Sequence, residues 1–337
     1  MKSIVYSQTG TPDVLHLVDR EQVEPGPGEV RVRIVVSGVN PTDWKSRSAG
    51  DVPFAEVTPN QDGAGVVDAV GDGVSGLDVG DRVWLYLSAY QRPSGTAQEY
   101  ATVLAAHVVK LPAETGFDVG ASLGVPAMTA HRALTVAEDG PRRLEPGALS
   151  GTTVLVAGGA GAVGHAAIQL ARWAGATVIT TISSDAKAAL ASAAGAHHVV
   201  DYKTEDAAAV IQSIAPDGVD LIVEVSIPQN VELDLAVAST RASIAIYANN
   251  GGDEFTLPIR PNMSKNLRYQ FVLLYTVGEK ALQEAAEDVT RALIDGALPV
   301  GEEFGLPLHH FSLAETAAAH QAVQDDVVGK VLITVAS

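Results

Sequence analysis

At 337 residues the chain has room for about two domains, and its 47% hydrophobic content suffices for ordinary globular cores. A net charge of −18 repels nucleic acid and anionic membrane surfaces, which argues against both as partners. Cysteine is absent, so disulfides, thiol nucleophiles and thiolate metal sites are excluded together.

Residues 1–7 alternate in the manner of an edge strand and lack the long apolar core of a signal peptide. No later apolar run approaches membrane-spanning length, and the expectation is a soluble cytoplasmic protein. Up to about Pro126 the chain is punctuated by turns and short strands. The turn 25–29 precedes a strand over 30–36, a second strand covers 66–70, turns follow at 71–73 and 77–81, and a third strand covers 82–87. Such a series reads as a partly open β-barrel domain. From about Ala127 helical and strand patterns alternate: helices over 127–138, 162–174, 184–195, 205–214 and 229–238, and strands over 153–157, 176–182, 197–201, 219–225 and 241–247. That alternation predicts an α/β domain with a doubly wound parallel sheet. A strand over 268–275, a helix over 279–296 and a closing strand over 330–335 complete the chain. The domains are expected at 1–126 with 276–337, and at 127–275, because the ends of a split domain usually lie together.

The β-branched run 153–156 leads into a small-residue turn in which Gly159, Gly161 and Gly164 keep the G-x-G-x-x-G spacing, with Ala162 and Val163 opening the helix. Gly159 is expected to allow the sharp turn, Gly161 the close approach of a pyrophosphate, and Gly164 tight packing of helix on strand. The first N–H groups of that helix and its positive dipole end would hold the diphosphate. An Asp or Glu about twenty residues later would bind the ribose 2′-OH of NAD, but here Ser183 and Ser184 stand at the strand end. With Lys187 they supply donors and charge for a 2′-phosphate, which favours NADP(H) over NAD(H). The competing reading makes Ser184 a helix cap and Lys187 a solvated side chain.

Several further segments fall in a recognisable order: Ser37-Gly-Val-Asn-Pro-Thr-Asp43, Gln61-Asp-Gly-Ala-Gly-Val-Val67, Gly80-Asp-Arg-Val83, Gly95-Thr-Ala-Gln-Glu-Tyr100, Pro126-Ala-Met-Thr-Ala-His-Arg-Ala-Leu134, Ala318-Ala-His320 and Gly329-Lys-Val331. Over nearly its whole length the chain resembles the medium-chain dehydrogenase/reductases, and most of all the zeta-crystallin-like NADPH:quinone oxidoreductases. The resemblance implies a GroES-like barrel domain built from both chain ends, a Rossmann domain between them and a cofactor cleft at their junction. The zinc branch of the superfamily carries a ligand cysteine where this chain has Asn40, and a Gly-His-Glu where it has Asn60-Gln61-Asp62. Catalytic zinc needs about three protein ligands, so no zinc is expected. Without that Lewis acid the acceptor should be activated already by conjugation, as in a quinone or an enone.

The resemblance also implies site residues. Asn40 and Thr42 would be the polar groups beside the nicotinamide, Thr42 matching the proton-relaying hydroxyl of the zinc branch, although Asn40 before Pro41 is equally a turn signal. Thr129 would lie beneath the nicotinamide, and Leu273, Leu274 and Tyr275 would hold its amide through their backbone. Tyr202 would lie near the adenosine phosphate, and Asn230, at the start of a helix, would be a further cofactor contact. Ile246, Tyr247, Ala248 and Asn249 end a parallel strand, where ligands gather in such sheets. Lys45 stands where several quinone oxidoreductases carry a cofactor-touching tyrosine. His131, His165 and His320 lie singly on helical patterns, where packing or surface roles are the default.

The expected activity is therefore hydride transfer from NADPH to a quinone or related conjugated carbonyl. An NADPH-dependent enone or enal reductase, and a non-catalytic NADPH-binding structural protein, remain as alternatives. The apolar segment 268–275 is expected at a sheet edge, where it would pair two subunits into a homodimer.

Overall fold

The computed structural model describes residues 1–335, and the chain divides into two compact units. The first comprises Met1–Val125 together with the chain from Pro307 onward, and the second Pro126–Leu306. In the first unit β1 (Lys2–Val5) and β2 (His16–Asp19) are followed by β3 (Glu29–Val39), α1 (Pro41–Ser48), β4 (Asp62–Val70), β5 (Arg82–Leu85), β6 (Tyr100–Leu104) and β7 (Val108–Lys110). Helix α2 (Phe117–Leu134) leads into the second unit. That unit holds β8 (Thr153–Ala157), α3 (Ala162–Trp173), β9 (Thr177–Ile182), α4 (Asp185–Ala193), β10 (His198–Asp201), α5 (Ala207–Ile214), β11 (Val219–Glu224), α6 (Ile227–Val237), β12 (Ala238–Ile246), α7 (Ile259–Lys265), β13 (Arg268–Phe271) and α8 (Glu279–Ile294). The closing segment returns to the first unit as β14 (Leu308–Ser312), α9 (Thr316–Gln324) and β15 (Lys330–Thr334).

The second unit's sheet runs β10-β9-β8-β11-β12-β13, all neighbours parallel. The strand order therefore reverses between β8 and β11, and a ligand of such a sheet sits at the strand ends beside that reversal. Val154, Leu155, Val156, Leu221, Ile222 and Val223 are all at most 1% exposed, as expected of parallel strands covered on both faces. The first unit's sheet runs β14-β15-β3-β4-β5-β7, with β6 also on β3. Here the closing strand β15 lies antiparallel to β3 and opposes Val331 to Val39. One more step of that register sets Lys330 opposite Asn40.

The structure corrects three boundaries. The second unit extends through Leu306 rather than ending at Tyr275, because α8 is pinned within it: the buried Asp288 carboxylate meets His131 Nε2 at 2.8 Å, and Trp173 Nε1 donates to Asp295 at 3.1 Å. Helix α2 begins at Phe117 rather than near Ala127 and continues through Pro126, a residue that sequence logic reads as a helix start. The strand expected over 268–275 stops at Phe271. Its partner β12 ends at Ile246, the last bond runs from Val272 N to Ile246 O, and a 3-10 turn over Leu274–Thr276 follows.

Candidate active site

In the second unit the chain turns from β8 into α3 through Gly158, whose φ of 71° lies in the left-handed region. This position, rather than Gly159, makes the sharp turn. Gly159 is required by packing, since a Cβ there would lie 2.2 Å from Thr180 Oγ1. Gly164 closes the helix onto the turn itself, where a Cβ would meet Gly158 O at 2.4 Å. Gly161 differs from both. It is exposed, and a Cβ would find nothing nearer than Gly158 O at 3.5 Å, so the protein itself does not demand glycine there. Gly161 is the N-cap of α3, and the first-turn N–H groups at Ala162, Val163 and Gly164 have no acceptor within the helix. An exposed glycine facing a helix N-terminus at the reversal of strand order fits a diphosphate.

Beside it, β9 ends at Ile182 and Ser184 caps α4, accepting from Lys187 N at 3.4 Å. Lys187 Nζ folds back onto Ser183 Oγ at 3.3 Å. The cap and the cluster of donors thus coexist, and Ser183, Ser184 and Lys187 share one corner. Tyr202 follows β10 and is 52% exposed. Asn230 lies on α6 and turns its amide inward, donating to both Glu224 oxygens at 3.0 and 3.2 Å. Burial pushes the Glu224 carboxyl up. Burial, reinforced by the Glu224 charge, pushes its neighbour Asp234 well up.

At the ends of β12 and β13 a cavity of about 500 Å³ is lined by Ile246, Tyr247, Ala248, Asn249 and Leu273, together with Phe271 and Thr276. Five residues expected from the sequence thus gather there, while Leu274 and Tyr275 do not line it. Thr129 is buried on α2 within the second unit.

The remaining expected residues belong to the first unit and are built differently. Asn40 is 2% exposed and stands as N-cap of α1. Its Oδ1 accepts from Lys330 Nζ at 2.7 Å, its Nδ2 donates to Asp62 Oδ2 at 2.6 Å, and its backbone N–H donates to Asp43 at 2.8 Å. Lys330 lies 3.6 Å from Asp62 Oδ2, and both are at most 1% exposed. Asp62 also accepts from Val125 N at 2.9 Å, and Asp43 from Gln61 N at 3.1 Å. Burial pulls the Lys330 amine down and pushes Asp62 up, while the attraction between them opposes both changes. With Asn40 and Val125 also donating to Asp62, the two form a charged pair. Burial and the Asp62 charge raise the Asp43 carboxyl to about 7. Thr42, in the first turn of α1, is half-buried, and Lys45 is exposed further along the helix. Behind this cluster the His320 Nε2–H donates to Asn60 Oδ1 at 2.9 Å, and Asn60 Nδ2 donates to Ser37 Oγ at 2.9 Å.

Comparison with known proteins assigns the family. Residues 26–113 match the alcohol dehydrogenase GroES-like domain, and residues 162–291 match the zinc-binding dehydrogenase domain. The quinone oxidoreductase of Lama guanicoe is 31% identical, over 99% of this chain and 97% of that protein. The chain belongs to the zeta-crystallin-like quinone oxidoreductases of the medium-chain dehydrogenase/reductase superfamily. It is an NAD(P)H-dependent oxidoreductase with a Rossmann domain and a GroES-like domain. Among solved structures, a mycobacterial protein complexed with NADPH is similar at 27% identity and TM-score 0.83, covering 99% of this chain and 100% of that one. A 2-haloacrylate reductase is similar at 27% identity and TM-score 0.81, with both chains covered completely.

This oxidoreductase's polar core does not suit a divalent metal. Asn40, which stands where the zinc branch of the superfamily carries a ligand cysteine, and the Asp62 carboxylate beside it are already engaged by the Lys330 ammonium, whose charge repels a cation. Among the described residues no group of three His, Cys, Asp or Glu side chains could hold a metal. Sequence reasoning quoted the segments containing Asp62 and Lys330 without assigning either residue a part. The signal was available as charged residues inside otherwise apolar strand segments, Asp62 beginning β4 and Lys330 beginning β15.

Proposed function

We propose that this oxidoreductase transfers a hydride from NADPH to a quinone or related conjugated carbonyl and does so without zinc. NADPH, when bound, supplies the hydride; the chain's work is to bind, orient and exclude water. The observation that carries the reading is the Lys330 ammonium seated on Asn40 and Asp62, where the zinc branch keeps metal ligands. Lacking a Lewis acid, the site suits an acceptor whose carbonyl is already activated by conjugation.

In this reading the α3 N-terminus and Gly161 hold the diphosphate, and Ser183, Ser184 and Lys187 take the 2′-phosphate. The mycobacterial relative complexed with NADPH supports that choice of nucleotide. Tyr202 approaches the adenosine phosphate, and Asn230 is a further cofactor contact. Thr129 and the backbone at 246–249 and 273–275 serve the nicotinamide, with Lys45 a further cofactor contact. Thr42 and the remaining amide hydrogen of Asn40 are the polar groups offered to the acceptor, whose reduced form takes its proton from water. The enzyme works in the cytoplasm as a homodimer paired through the edge strand β13, where Phe271 is 63% exposed.

NADPH oxidation measured with a panel of quinones beside a panel of enals tests the reading. Quinones should be reduced with the higher kcat/KM. A wide preference for the enals would replace it with an enal reductase, the direction in which the 2-haloacrylate reductase points. Tight NADPH binding without turnover of either panel would leave only a nucleotide-binding protein.

A further inference from the structure

We infer that Lys330 is a positioning residue for the reaction: through its bond to Asn40 and its pairing with Asp62 it fixes the Asn40 amide and the first turn of α1 that carries Thr42. The inference rests on the reading of Asn40 and Thr42 given above. The placement is built by the sheet. Lys330 precedes Val331, which pairs with Val39 on β3, and Gly38 on the same strand pairs with Asp62 on β4. Lysine, asparagine and aspartate therefore meet at one end of three adjacent strands.

Two glycines show that the surroundings are shaped around this cluster. A Cβ on Gly38 would lie 3.1 Å from Lys330 Cε and 2.2 Å from Ala121 O, and a Cβ on Gly124 would lie 2.1 Å from Asp62 Oδ1. The geometry also leaves Asn40 one orientation. Lys330 can only donate, so it selects the amide oxygen; Asp62 as a carboxylate can only accept, so it selects the amide nitrogen. Exchanging the two amide ends would set like against like on both sides. Those two bonds also set the direction of the other Nδ2 hydrogen. Asn40 also opens α1, where its carbonyl accepts from Asp43 N at 3.0 Å, so a displaced Asn40 displaces the turn bearing Thr42.

A mutant cycle on the full-length enzyme tests this, using NADPH and 1,4-benzoquinone. Lys330→Met, Asn40→Ala and the double variant are compared by kcat per NADPH-binding subunit and by NADPH dissociation constant. Each single change should lower kcat about a hundredfold, the size of loss that a misplacement near 1 Å produces. The double variant should be no slower than the worse single variant, because Lys330 acts through Asn40. NADPH affinity should fall far less than kcat, since the glycine turn and the Ser183–Lys187 corner lie in the other unit. If Lys330→Met strands Asp62 and does not fold, Lys330→Met/Asp62→Asn takes its place in the cycle. A slow Asn40→Ala beside a fully active Lys330 variant, or losses that multiply in the double variant, would overturn the inference while leaving the role of Asn40 intact. An Asn40→Ala enzyme with wild-type kcat would instead overturn that role, and the inference with it.

Discussion

The glycine turn of the second unit is made from neighbours in sequence, residues 158–164, whereas the polar core of the first unit joins Asn40 to a lysine 290 positions away. The turn presents backbone N–H groups and an exposed glycine, leaving its bonding capacity for a ligand. The core does the reverse: Asn40, Asp62 and Lys330 use most of theirs on one another, out of reach of water. A site that receives a large anion has to stay unsatisfied until the anion arrives. A group that must point in one direction has to be satisfied from behind.

The contrast breaks most widely under acid, because each unit contains a buried imidazole. His165 donates from Nε2 to Phe304 O at 2.9 Å, and burial pulls it down to about 4. Burial, with the nearby Arg47 charge, pulls His320 down to about 3, and its Nδ1 has no partner. Both groups have folded values below the unfolded one near 6.5. Their contribution is therefore complete above pH 6.5 and is lost as pH falls toward 3–4. Asp43, raised to about 7, has the opposite sign: its contribution is complete below about 4 and is lost as pH rises through 7. Denaturant midpoints between pH 7 and 5 should show it. Either His165→Asn or His320→Asn should spare the protein about 2 kcal/mol of acid destabilisation at pH 5, and Asp43→Asn should add a similar amount. Parallel wild-type and variant curves would contradict the burial assigned to these groups.

Two glycines sharpen the contrast further. Gly124→Ala pushes a methyl into Asp62 and should cost about 1–3 kcal/mol of stability, read from the unfolding midpoint. Gly161→Ala meets only ordinary contact within the protein, so its unfolding midpoint should stay close to wild type while KM for NADPH rises about tenfold or more. A Gly161→Ala enzyme with unchanged NADPH kinetics would remove the diphosphate from that turn.

Lys187→Ala probes the same side more gently. Loss of a charge-assisted contact worth about 1.5–3 kcal/mol should raise KM for NADPH roughly tenfold to a hundredfold and leave NADH nearly unaffected. Equal effects on both nucleotides would mean that Lys187 does not meet the 2′-phosphate. The smallest expected change in activity comes from Phe271→Lys, which should halve the mass seen by light scattering at micromolar concentration with modest effect on kcat. Val272 is buried and would confound that test. A wild type already monomeric would dispose of the β13 pairing.

Sequence reading reached what is local. The strand, glycine turn and helix at 153–173 and the alternation of the second unit were legible, because periodicity and turn chemistry are written in neighbouring residues; the return of the last strand to the first unit followed instead from the tendency of the ends of a split domain to lie together. It placed the sharp turn at Gly159 instead of Gly158, since spacing does not reveal which glycine takes positive φ. It assigned α8 to the wrong unit because the deciding contact, His131 with Asp288, spans 157 positions. Asn40 was legible as a place but not as a partner. Its surroundings come from β4 and β15, and only the sheet register brings Asp62 and Lys330 to it.

The central claim is hydride transfer with an ammonium, not a metal, behind Asn40. It is tested most directly by the rate of NADPH oxidation with 1,4-benzoquinone, measured before and after exhaustive dialysis against a chelator. The same rate in both samples is the predicted result. A rate that collapses on dialysis and returns with one equivalent of zinc would contradict it.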